Sequence, residues 1–309
     1  MPRKKKSSQL FSQYFEEWVE LYKVGAVHDV TLEKYYMTQQ RIRELVPDLK
    51  ISELDRTTYQ KLLNDYALTH EKQTTMDFHH QLKGAILDAV DDGILTKNPT
   101  RKIIIKGKKQ KEKKPKFLNQ FEVQSLMQQL ELENEINWDW FILLITKTGL
   151  RFSEALALTP NDFDFHNQKI IVNKTWNYKK ASGGFQATKN ESSKRKVSID
   201  WQLAMQFSQL IKNSEYDKPI FVNGRVFNST INNRLEKLCL QANVPVITVH
   251  SLRHTHASLL IFAGVSIASI ANRLGHSSMT TTQETYLHII QELENQDNDK
   301  IMRHLAMLM

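Results

Sequence analysis

Between residues 101 and 116 the sequence RKIIIKGKKQKEKKPK carries nine basic side chains and a single acid, Glu112. The bases are Arg101, Lys102, Lys106, Lys108, Lys109, Lys111, Lys113, Lys114 and Lys116. Asn98-Pro99 stands just ahead, so the run reads as a linker both by composition and by helix-breaking residues. The chain should therefore fold in two parts, which its 309 residues also favour, since single cores stop growing near that size. Lysine plus arginine exceed aspartate plus glutamate by 42 − 34 = +8, and this segment alone supplies 9 − 1 = +8. The positive excess is concentrated in one place. Such a run is either a solvated linker or a strap along phosphates, where each neutralised phosphate releases counterions.

Ahead of the linker the apolar residues repeat at helical spacing. Phe11, Phe15, Trp18, Val19 and Tyr22 mark one helix. A second is expected from Thr31 as N-cap through Tyr35, Ile42 and Leu45 to the break at Pro47. A third follows Asp55 with Tyr59, Leu62, Leu63 and Tyr66 on one face, and a fourth runs from near Lys72 to Gly93. Four amphipathic helices with short connections predict a small bundle over residues 10–100, behind a basic tail at 1–9.

The second part is mixed. Asn119 predicts a helix to Leu130, and INWDWFILLITKTGL a largely buried helix stopping at Gly149. The stretches NDFDFHNQKIIVNKTWNY and KRKVSID look like strands, with KKASGGFQATKNESS as the connection between them. Helices are expected again at residues 228–240, 251–262 and 267–274. The fold class is mostly α with a small β-sheet (α+β).

Several function classes are excluded by composition. One cysteine, Cys239, allows neither an internal disulfide nor a Cys-rich zinc module, and it suits a reducing cytosol. No apolar run is long enough to cross a bilayer, and MPRKKKSSQL lacks the apolar region of a secretion signal.

Four fragments in the second part carry chemistry-bearing residues: TGLRFSEALALT from Thr148, TKNESSKRKVSI from Thr188, HSLRHTHASLL from His250, and RLGHSSMTTTQETYLH from Arg273. Singly, each has an ordinary structural role open to it: a capping arginine, a hairpin lysine, a polar helix face, a packed tyrosine. Together they resemble the tyrosine recombinases of the phage-integrase family, in the pattern of integrases from Gram-positive phages and integrative elements. The resemblance covers residues 117–290 by motif and 10–107 by layout. It implies catalytic roles for Arg151, His250, Arg253, His276 and the nucleophile Tyr286, with Glu154 in support. Lys189 matches the family's β-hairpin lysine best, with Lys194 and Lys196 as rivals.

Elementary chemistry agrees with that set. A phosphodiester under attack gathers charge on its non-bridging oxygens, and two guanidiniums can meet it bidentately without losing their own charge. His276 can donate a further hydrogen bond, and His250 can assist proton removal from a phenol whose ordinary pKa is about 10. A lysine can protonate the leaving 5′ oxygen. The Ser/Thr-rich stretch after His276 is expected to be a hinge loop that presents Tyr286 and lets it withdraw. A covalent phosphotyrosyl link conserves the bond energy, so no cofactor and no metal are implied.

The resemblance further implies a clamp on double-stranded DNA at attachment or core sites, a homotetramer on synapsed DNA, accessory DNA-bending or directionality factors, and action in the host cytoplasm. The tail at 291–309, with apolar Ile301, Met302, Leu305 and Leu308, is expected to dock on its own chain or a neighbour. Integrases of this subgroup carry an arm-binding domain ahead of the bundle. Here the bundle starts by Leu10, which fits a simpler recombinase or a shortened chain. A type IB topoisomerase-like enzyme and a non-catalytic DNA-binding regulator are the alternatives, although nothing among the catalytic residue types is missing.

Overall fold

The structure is a computed structural model that describes residues 8–109 and 117–286. The chain divides into two compact units, Met1–Glu112 and Lys113–Met309.

Among the described residues the first unit has four α-helices: α1 (Phe11–Tyr22), α2 (Asp29–Leu45), α3 (Arg56–Ala67) and α4 (Lys72–Asp91). Their apolar stripes meet in one core around Phe11, Phe15, Ile42, Tyr59, Leu82 and Ile86, all essentially without exposure. The Asp55 side chain accepts from the Thr58 amide to start α3, a cap worth about 1 kcal/mol. The expected start of α2 needs correction. Thr31 lies inside its first turn, and His28 occupies the N-cap position without a side-chain bond.

Residues 103–108, the front of the basic run, lie against this unit. Ile103 and Ile105 pack on the bundle core while Ile104 points outward. The Gln60 amide side chain bonds both backbone groups of Ile104, at 2.8 Å each, and the Lys108 amide donates to the His70 carbonyl at 2.8 Å. Gly107 is required there, because a Cβ would stand 2.1 Å from the backbone nitrogen of Lys72. Arg101, Lys102, Lys106, Lys108 and Lys109 remain exposed. Lys111, Lys113, Lys114 and Lys116 lie outside the described residues.

The second unit begins with α5 (Gln120–Met127), where Asn119 and Glu122 form a reciprocal capping box. It ends before the expected Leu130. Next come α6 (Trp138–Thr148), capped by Asn137 and stopped at Gly149 as expected, and the short α7 (Phe152–Leu156). Strands β1 (Phe163–Asp164), β2 (Lys169–Val172), β3 (Lys174–Trp176), β4 (Phe185–Ala187) and β5 (Arg195–Ser198) follow. They form two small antiparallel sheets, β1-β2-β5 and β3-β4. The expected connection therefore contains a strand: Phe185 pairs with Trp176, and their rings meet edge-on at 5.1 Å.

Helix α8 (Trp201–Leu210), capped by Asp200, was not anticipated from the sequence. It is followed by α9 (Asn228–Gln241), α10 (Val249–Phe262) and α11 (Ile267–Leu274). α6 runs through the middle of the core and is almost wholly buried, which explains its uninterrupted apolar run. Its buried Asp139 is held by Arg234 of α9 through two bonds of 2.8 and 2.7 Å. Residues 279–286 are helical, with Ser278 accepting from the Thr280 amide at their start. The Ser/Thr-rich stretch is thus mainly helix, and only Ser277 and Ser278 separate it from His276.

Candidate active site

Arg151 stands at the N-cap position of α7, where Gly149-Leu150 turns the chain out of α6. Its guanidinium donates to Glu154 Oε1 at 2.7 Å and to the Gly275 carbonyl at 2.8 Å. Arg253, on α10, donates to the Gly149 carbonyl at 2.6 Å and to the Leu274 carbonyl at 2.7 Å. The two arginines therefore bond consecutive carbonyls of the turn that leads into His276. That turn places the three cationic or donor groups side by side. Gly275 makes the approach possible: its φ is +68°, and a Cβ there would stand 2.8 Å from the Arg195 guanidinium.

Glu154 is 1% exposed and is surrounded by donors. It accepts from the Arg151 amide and guanidinium and, through both oxygens, from Arg195 at 3.2 and 2.9 Å. Burial pushes its carboxyl upward, but the bonds and charges of Arg195 and Arg151 outweigh that and hold it below its ordinary value. Arg253 is buried, so desolvation and the nearby Arg151 push its guanidinium down to about 9, which leaves it charged at neutral pH. His276 bonds Thr282 through Nδ1 at 2.7 Å, and burial with the adjacent Arg253 and Arg151 lowers it to about 4. A Thr282 hydroxyl donating to Nδ1 leaves the proton of this neutral ring on Nε2, ready to donate.

Tyr286 is 2% exposed. Its ring packs with Ala257 and Ile261 of α10 and with Ile270 and Leu274 of α11. Burial raises the phenol to about 12 against the opposing pull of Arg253, so it is protonated at neutral pH. Its hydroxyl meets Nδ1 of His254 at 3.0 Å. His250 lies one turn earlier on the same helix face, with its ring edge-on to His254 at 5.0 Å between centroids. Burial, Arg253 and Arg151 all press the His250 ring toward its neutral form.

A model of the phage integrase family matches residues 116–292, more than half of the chain. The chain belongs to the phage integrase family. Among its relatives in that family, the integrase of Staphylococcus phage L54a is 32% identical over 171 residues, which are 50% of this chain and 48% of that protein. The match thus spans about half the length of that relative. The ICEBs1 integrase of Bacillus subtilis (strain 168) is 28% identical over 272 residues, covering 82% of this chain and 71% of the relative. Two solved structures are similar in fold. The Tn1549 transposon integrase in complex with a circular intermediate DNA gives a TM-score of 0.75 at 19% identity, covering 90% of this chain and 95% of that one. A lambda integrase dimer bound to a COC′ core site gives 0.64 at 15%, covering 91% and 78%. The family resemblance and the mostly helical fold with a small sheet both hold.

Within this integrase-family chain the lysines are less settled than the arginines. Lys189 is exposed in the bend two residues past β4 and forms no hydrogen bond or ion pair among the described residues. Lys194 pairs with Glu191 at 2.8 Å. Lys196 sits on β5 between Arg195 and Val197, so the two-residue period of a strand turns it to the face opposite Arg195 and away from Glu154. Of the three, Lys194 alone has its ammonium paired among the described residues.

Two further groups escaped the sequence reading. Arg195 is buried and also donates to the carbonyls of Arg273 and Ser193, at 2.6 and 2.9 Å. It lies in the TKNESSKRKVSI fragment, where the sequence reading gave a role only to the lysines. Arg273 donates through Nε to Nε2 of His256 at 2.8 Å, while that ring's Nδ1 meets the Thr146 carbonyl at 2.9 Å. These bonds tie β5, α6 and α10 together behind the site.

Proposed function

We propose that this chain is a site-specific DNA recombinase that cleaves and rejoins duplex DNA through a 3′-phosphotyrosyl intermediate, integrating or excising a mobile element. The observation that carries this reading is the pair of carbonyl bonds from Arg151 and Arg253 to Gly275 and Leu274, which gather two guanidiniums and His276 beside the buried hydroxyl of Tyr286. The arginines and His276 supply preset charge and donors for the non-bridging oxygens of a scissile phosphate. Tyr286 supplies the nucleophile, and Lys189 the proton for the departing 5′ oxygen. Glu154 and Arg195 fix Arg151. Because Tyr286 is 2% exposed, a scissile phosphate reaches its hydroxyl only after a local rearrangement of what covers it.

By the same reading the partners are double-stranded attachment or core sites, bound by a homotetramer in the cytoplasm of a bacterial host. Accessory DNA-bending or directionality factors set the direction of exchange. The exposed bases from Arg101 to Lys109 bind phosphates.

The deciding experiment is covalent capture. Nicked duplexes of random sequence, from which a cleaved fragment diffuses away, are incubated with the protein and adducts are isolated under denaturing conditions. Wild type should enrich one site and Tyr286→Phe should yield no adduct while still binding it. An adduct with the Phe variant would remove Tyr286 as nucleophile. Capture with no sequence enrichment, together with relaxation of any supercoiled plasmid, would point to a topoisomerase-like activity.

A further inference from the structure

We infer that His254, and not His250, is the group that takes the proton from Tyr286 when the phenol attacks. This rests on the reading of Tyr286 as nucleophile.

The geometry singles out one nitrogen. Nδ1 of His254 is 3.0 Å from the Tyr286 hydroxyl, within the reach required of a general base. The two rings stand edge-on at 5.8 Å between centroids, which aims the phenol at the ring edge. His250 and His254 are four residues apart on α10 and share one helix face. Of the two, it is His254 that contacts the phenol, and the His250 ring meets the His254 ring edge-on. Burial and the charges of Arg253 and Arg151, the groups that would hold the phosphate, press the His250 ring toward its neutral form. His254 is placed on the nucleophile side. Among the described residues, the titratable groups found near it are His250 of α10, His276 from the turn after α11, and Tyr286 from the helix at 279–286.

The need for a base is physical. Burial raises the phenol to about 12, so at neutral pH only a minute fraction is ionised without help. The proposed step uses the neutral tautomer of His254 that is protonated on Nε2, and the phenolic proton passes from Oη to its Nδ1. The phenolate oxygen bonds to phosphorus, the bond from phosphorus to the 5′ oxygen breaks, and that oxygen takes a proton from a separate acid. His254 is left as imidazolium. It returns the same proton to the phenol when the 5′ hydroxyl attacks in the reverse direction.

The test is single-turnover formation of the covalent adduct on a nicked duplex carrying the captured site, followed from pH 5.5 to 9. His254→Ala should slow adduct formation by roughly 10²–10⁴, the range for loss of a general base, and added imidazole should restore much of that rate. His254→Gln keeps a hydrogen-bond acceptor but cannot take a proton at these pH values, so it should be as slow as His254→Ala. For both, the logarithm of the rate should climb with pH across the range, without the plateau of wild type. His250→Ala should not respond to imidazole. Wild-type-like cleavage by His254→Gln, within threefold, would overturn the assignment by reducing His254 to a structural hydrogen bond. So would an imidazole response in His250→Ala with none in His254→Ala. Tyr286→Phe run in parallel separates this failure from failure of the functional reading, since an adduct there would remove the nucleophile itself.

Discussion

Arg195 reaches across from β5 to grip both oxygens of the buried Glu154 carboxylate, at 3.2 and 2.9 Å. The same carboxylate takes Arg151 at 2.7 Å, so the Arg151 guanidinium is positioned through a shared acid by an arginine that is itself 7% exposed in its side chain. Breaking a buried pair by removing one partner is costly because the other charge is stranded. Arg195→Leu should therefore lose about 3–5 kcal/mol of stability by urea unfolding, and Arg195→Lys should recover only part, lacking the planar fork. Glu154 sits below its ordinary carboxyl pKa in the folded protein, so its contribution is present above the unfolded value and vanishes as pH falls through the folded one. Glu154→Gln should flatten the acid limb of the stability curve. An unchanged limb would mean the carboxylate contributes nothing net.

His256 gives a second pH signature. Burial, followed by the adjacent Arg273, lowers its pKa from 6.5 to about 4. Between those values the unfolded chain binds a proton that the folded chain refuses, so stability falls on acidification. One such group is worth on the order of 3 kcal/mol across that window. His256→Gln can still donate to the Thr146 carbonyl and accept from Arg273 while not titrating. Its urea midpoint should therefore depend less steeply on pH between 6.5 and 4 than that of wild type.

Lys189 as general acid is tested by the leaving group. Lys189→Ala should slow cleavage by roughly 10²–10⁴. A substrate with sulfur in place of the bridging 5′ oxygen needs no proton and should bring the variant back to near wild-type rates. It should not rescue Arg151→Ala or Arg253→Ala, whose defect is in charge stabilisation. Rescue of Lys194→Ala or Lys196→Ala instead would move the proton donor.

The basic run should show itself in salt dependence. Replacing Lys106, Lys108 and Lys109 with glutamine should weaken binding to all duplexes about equally. The slope of log affinity against log salt should flatten by about 0.9 for each phosphate that is no longer neutralised. An unaltered slope would leave these side chains as solvated surface.

Much of this fold was legible because its determinants are local. The apolar spacing of Phe11, Phe15, Trp18 and Tyr22, the helix starts at Asp55 and Asn119, and the stop at Gly149 all act within a turn or two of chain. The candidate site residues from Arg151 to Tyr286 were picked out by motif spacing, and Arg151, Arg253 and His276 gather at the turn around Gly275 in the fold. Two local readings still failed. The cap at Asp200 announced a helix that went unread, and Thr31 looked a better cap than His28.

The remainder was decided by packing across distance. The Ser/Thr-rich segment at 279–286 has little helical preference of its own, yet it is helical in the fold, with Thr282 and Tyr286 buried. The sequence reading gave proton removal to His250 and attached no role to His254, yet it is His254 that meets the phenol. That depended on where the 279–286 helix lies along α10. Arg195 and Lys196 are adjacent bases with similar prospects in the sequence, and only the pairing of β5 with β2 determines which of them reaches Glu154. Identity and spacing are properties of the chain, whereas a hydrogen bond between residues 41 positions apart exists only once both are packed.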